Sequence, residues 1–66
     1  MQNADQVVAA LKIGVLKSDM VAWNMTSDKL FNLNVIQQLH RAGMHTEVDK
    51  AANRLIVRGD GSSEQD

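Results

Sequence analysis

The chain has 66 residues, 44% of them apolar, with no cysteine and a formal net charge of −1. That length holds one small domain, and the missing cysteines exclude disulfides and thiolate zinc sites, which leaves ordinary packing and self-association as sources of stability. The slight acidic balance argues against a partner held chiefly through phosphate contacts, since such proteins usually carry a clear positive excess.

In chain order, Asn3 followed by Gln6 reads as a helix N-cap with its capping-box partner, and Asp5 suits the first turn. A helix from about residue 4 places Val7, Val8, Leu11 and Val15 on one face. The segment Lys12–Lys17 is open to two readings. As helix it continues that stripe across Gly14, a weak point worth about 1 kcal/mol; as strand it sets Ile13 and Val15 on one face. The reading adopted is a helix ending near Lys12, then a short extended piece. Ser18 and Asp19 form a second N-cap signal, predicting a short helix over Met20, Val21 and Trp23. Thr26 or Ser27 then caps a longer helix over 28–42, with Asp28 in its first turn. Phe31, Val35, Leu39 and Ala42 form its stripe, Ile36 widens it, Asn32 intrudes on it, and Leu30 and Leu33 lie off it. Arg41 suits the last turn, and Gly43 is placed to terminate the helix.

After Gly43 the period of apolar residues changes from helical to alternating. Residues 44–49 and Arg54–Arg58 read as a β-hairpin with a four-residue loop, Lys50–Asn53, in which Asn53 tolerates the left-handed conformation. Pairing Asp49 with Arg54 sets Val48 opposite Leu55 and Thr46 opposite Val57 on an inward face. His45, Glu47, Asp49, Arg54, Ile56 and Arg58 fall on the other face, with Asp49 and Arg54 as an opposite-charge pair. Residues 1–58 are thus expected to form one domain and 59–66 a disordered acidic tail.

With one Trp, one Phe and no Tyr, the core is expected to be aliphatic. No apolar run approaches the roughly 20 residues needed to cross a bilayer. The start MQNADQ has no basic region followed by an apolar block, so no secretion signal is expected, and the sequon Asn24-Met25-Thr26 reads as a chance match. A cytoplasmic, membrane-free protein is the expectation.

His45, Glu47 and Asp49 project from one strand face, as hard-cation ligands would or as a solvated face does; no further ligand is evident, and Arg54 and Arg58 face them. His40 and His45 are five apart and lack the spacing of two ligands on one helix. Ser18, Thr26 and Ser27 are explained as caps, the glycines are scattered, and so short a chain encloses a substrate pocket with difficulty. No catalytic, cofactor-binding or metal-binding residue and no small-molecule substrate is expected. Trp23 reads either as a core side chain or as an interface anchor. The polar helix face with Lys29, Asn32, Asn34, Gln37, Gln38 and Arg41 reads either as a solvated face or as an adenine-reading one, with Lys50, Arg54 and Arg58 on phosphates.

The expected order is helix, extended piece, short helix, long helix, hairpin. Together with the string VIQQLHRAGMHTEVDKAANRLIVR, in which Leu39 to Met44 lead from a helix into a hairpin, it resembles winged-helix domains. The resemblance implies a recognition helix with Ser27, Asp28, Lys29 and Asn32 toward DNA, and Lys50 and Arg54 at a β wing.

The fold class expected is therefore α+β, with two or three helices followed by a C-terminal antiparallel β-hairpin. The function expected first is a small non-enzymatic regulatory module that binds protein or itself as a homo-oligomer. Its contact residues would be Trp23, Leu30, Phe31, Leu33 and Ile56, with the strand Arg54–Arg58 offered as an edge to a partner. The alternative is a winged-helix-like DNA-binding regulator acting through Lys29, Asn32, Gln37, Arg41, Lys50, Arg54 and Arg58.

Overall fold

A computed structural model describes residues 3–59. The chain runs α1 (Ala4–Ser18), β1 (Met20–Asn24), α2 (Lys29–Arg41), β2 (His45–Asp49) and β3 (Arg54–Arg58). The class is α+β, as expected, with two helices and one antiparallel three-stranded sheet in the order β1-β3-β2. The strands do not all follow the helices, because β1 lies between them.

Helix α1 begins as its sequence dictates. The Gln6 N–H donates to Asn3 Oδ1 at 2.9 Å and the Asn3 N–H donates to Gln6 Oε1 at 3.2 Å, closing a capping box. The helix then continues through Gly14 to Ser18, so the extended piece expected over 12–17 is helix. Gly14 is there for a packing reason: a β-carbon on it would lie 3.2 Å from Val21 Cγ2 and 3.3 Å from Val21 Cβ. The missing side chain lets α1 close onto β1. The chain reverses at Asp19, which is left-handed at φ 67° and donates its N–H to the Val15 carbonyl at 2.7 Å. Asp19 thus ends α1 where the sequence reading had it start a second helix. Asp tolerates this conformation better than most side chains because its short polar group bonds locally.

Met20–Asn24, expected as a short helix, is strand β1. Its partner explains the difference. Val21 pairs with Val57 and Trp23 with Leu55, so β1 takes its conformation from a strand more than thirty positions later in the chain.

The link from β1 to α2 has no regular structure, and a side chain from inside α2 organises it. Asn32 Oδ1 accepts from the Thr26 N–H at 3.0 Å while Asn32 Nδ2 donates to the Thr26 carbonyl at 2.9 Å. The Thr26 hydroxyl adds a 2.9 Å bond to Asn32 Oδ1 and accepts from the Asp28 N–H at 3.0 Å. Asn32 intrudes on the apolar stripe because its amide is the peptide-like partner of Thr26, and it is buried. Asp28, not Thr26 or Ser27, caps α2, accepting from the Leu30 and Phe31 N–H groups at 3.1 and 3.2 Å. At the far end Gly43 adopts φ 85° and Met44 donates to the Leu39 carbonyl at 2.9 Å, a Schellman termination.

The hairpin has the register read from its alternation: Asp49 opposite Arg54, Val48 opposite Leu55, Thr46 opposite Val57. Asn53 has φ 51° and is tied to Met25 by a 3.0 Å bond from the Met25 N–H. The ion pair is not the expected one. Asp49 Oδ1 accepts from the Ala52 N–H at 3.3 Å, and Arg58 instead meets Glu47 at 3.3 Å on the exposed face.

Leu55 and Val57 of β3 and Val35 and Leu39 of α2 have no exposed surface. Ala4, Val7, Val8, Leu11 and Val15 of α1 complete the buried core, and Val21, Trp23, Met25, Phe31, Ile36 and Met44 line it. Both helices lie on the same face of the sheet as Leu55 and Val57. Val48 shares that face but is 49% exposed at the outer strand, so it covers the helices less than its alternation promised. Residue Gly59 donates its N–H to the Asp19 carbonyl; the remainder of the expected acidic tail, 60–66, lies outside the described residues.

Two stability measurements check these contacts. Gly14→Ala ordinarily gains about 1 kcal/mol in a helix; here it is expected to lower the thermal midpoint, and to lower it less in a Val21→Ala background, where the 3.2 Å contact with Cγ2 is removed and only the one with Cβ remains. Asn32→Ala strips Thr26 of its buried partners and is expected to cost about 2 kcal/mol in urea unfolding, whereas exposed Asn34→Ala is expected to fall within about 0.5 kcal/mol of the parent.

Candidate protein-interaction surface

The outward faces of the two helices carry the feature that packing does not explain. On α2, Leu30 is 78% exposed and Leu33 is more than half exposed. They sit one turn apart, on the side turned away from Val35 and Leu39. On α1, Leu16 is 82% exposed and Ile13 more than half exposed. With exposed Ala9 they form a stripe at i, i+4, i+7, opposite the buried face of Val7, Val8, Leu11 and Val15. Both helices are therefore apolar in two directions. Met20, at the start of β1, is also more than half exposed.

Of the five residues expected to contact a partner, the structure brings Leu30 and Leu33 together on one exposed face. Trp23 and Phe31 are half-buried against the core, their ring centroids 6.3 Å apart and their planes tilted by 45°. Ile56 is half-buried on the outer sheet face, between Ala22 and Glu47. The strand offered as an edge, β3, is the middle strand, paired on both sides. Its backbone is not free, and the outer strands are β1 and β2. Ile13 and Leu16 were missed because residues 12–17 were read as extended. Had the helix been carried through Gly14, the spacing of Ala9, Ile13 and Leu16 would have marked them.

The residues of the nucleic-acid alternative do not share one surface. Lys29, Gln37 and Arg41 are exposed on α2, and Lys50 is exposed in the hairpin loop. Arg54 and Arg58 project from the sheet face opposite the helices. Asn32 points inward and its amide is engaged by Thr26. His40 Nε2 and Thr46 Oγ1 are 2.7 Å apart, which fastens the end of α2 to β2. Among the described residues, no three His, Cys, Asp or Glu side chains converge as metal ligands. No described helix is long and apolar enough to cross a membrane. No protein-family model, no curated protein and no solved structure matches the chain.

Proposed function

We propose that the chain is a small non-enzymatic regulatory module that acts by protein–protein contact, with a second copy of itself as a partner. The observation that supports this reading is the exposure of Ile13, Leu16, Leu30 and Leu33 on the outward helix faces. Burying one such side chain contributes about 1.5–3 kcal/mol, so a partner that covers these faces gains from each of them. A domain of this size, with no disulfide to brace it, gains stability from the same step. Patches of this kind on small proteins mark association sites.

A second reading is a winged-helix-like DNA-binding regulator. A helix that runs directly into a hairpin supports it, as do exposed Lys29, Gln37, Arg41 and Lys50. The formal charge of −1 weighs against it. Burial takes Asn32 out of the reading surface.

Sedimentation equilibrium over a wide concentration range is expected to show reversible self-association. Leu16→Gln and the pair Leu30→Gln/Leu33→Gln are expected to keep the circular dichroism of the parent, and at least one of them is expected to weaken association about tenfold, or about 1.4 kcal/mol. A parent chain that stays monomeric at every concentration counts against the reading. For DNA binding, a gel shift with pooled genomic fragments is expected to give affinity that falls steeply with salt; no shift even at low salt removes that reading.

A further inference from the structure

The two outer strands present edges of different kinds. Strand β2 carries His45, Glu47 and Asp49, and charge of this sort guards an edge against further pairing. Strand β1, MVAWN, has no charged residue and no proline. Among the described residues its hydrogen-bonded partner strand is β3, so its other edge keeps backbone N–H and C=O groups that no described strand pairs. Helix α1 lies over this side of the sheet: Gly14 closes onto Val21 of β1. The buried side of α1 faces the sheet and α2, and the stripe of Ile13 and Leu16 is on the opposite side of the same helix.

We propose that β1 pairs antiparallel with β1 of a second copy, about a two-fold axis perpendicular to the sheet. The two three-stranded sheets then join as one, in the order β2-β3-β1-β1-β3-β2. This rests on the self-association reading above and names the surface that performs it. One symmetry operation covers both exposed features, as an isologous interface requires. The axis satisfies the unpaired backbone of β1, and it sets the two α1 helices on the same face of the joined sheet, on either side of the axis, where Ile13 and Leu16 approach the partner helix. Full overlap of a five-residue strand centres the pairing on Ala22. Ala22 then faces Ala22 of the second copy, and Met20 faces Asn24. The same operation on β2 would centre on Glu47 and set two carboxylates opposite each other, which is destabilising.

The test uses the full chain, which has no native cysteine. Ala22→Cys and Glu47→Cys are each labelled with a nitroxide. Both side chains are exposed and stand off the sheet face, so the labels leave the strand edges free. Directly opposed residues have Cβ atoms about 5 Å apart, so the Ala22→Cys label is expected to give a spectrum broadened by spin–spin contact as the chain associates. The Glu47→Cys label is expected to stay narrow. An unlabelled Ala22→Lys chain is expected to keep its circular dichroism and lose association about tenfold, while Ala22→Ser keeps it. No broadening at Ala22→Cys while sedimentation shows association overturns the β1 pairing and leaves self-association standing. A monomer in every assay removes both.

Discussion

The structure depends on the burial of alternate residues of β3. Leu55 and Val57 have no exposed surface, and they belong to one buried cluster with Val35 and Leu39 of α2, which have none either. Because β3 is the middle strand, its inward side chains set which way the neighbouring strands face. Val21 and Trp23 align with them from β1, and Thr46 and Val48 from β2. Both helices then lie on that one face, and the opposite face is left to Arg54, Arg58, Glu47 and the half-buried Ile56. A sheet covered on one side this way alternates apolar and polar along each strand; RLIVR follows the rule at Arg54, Leu55, Val57 and Arg58 and departs from it at Ile56, which is half-buried on the outer face.

The apolar surplus on the surface follows from the same economy of size. A short chain has few inward positions, and among the described residues nine side chains fill the buried core. Helix α1 presents one stripe to that core and a second one to the outside, through Ile13 and Leu16. Helix α2 does the same through Leu30 and Leu33. In a domain with so small a core, these side chains stay outside the packing of the single chain.

Local chemistry was the legible part of the sequence. The capping box at Asn3, the terminating Gly43, the positive φ at Asn53 and the hairpin register all follow from residues within a few positions of one another. The misread parts depend on distant partners. MVAWN is a short apolar run whose period does not distinguish helix from strand; only its pairing with β3 decides. Gly14 reads locally as a weak point in a helix, yet a side chain there would crowd Val21. The cap of α2 moved to Asp28 because Thr26 is occupied by Asn32, a residue whose inward position looked like a flaw in the stripe. The surface divides the same way. Leu30 and Leu33 were legible from helical spacing, Ile13 and Leu16 were hidden by the misread segment, and Trp23 and Phe31 lean on the core as well as the surface.

Native-state hydrogen exchange probes the role of β3 most directly. If alternate burial on β3 holds both helices and both outer strands, the most protected amides of Leu55, Ile56 and Val57 exchange only through global unfolding, together with those around Val35 and Leu39. The 50–53 loop then exchanges earlier, through local opening. Protection that is high in the helices but no greater in β3 than in that loop would contradict the central place given to Leu55 and Val57.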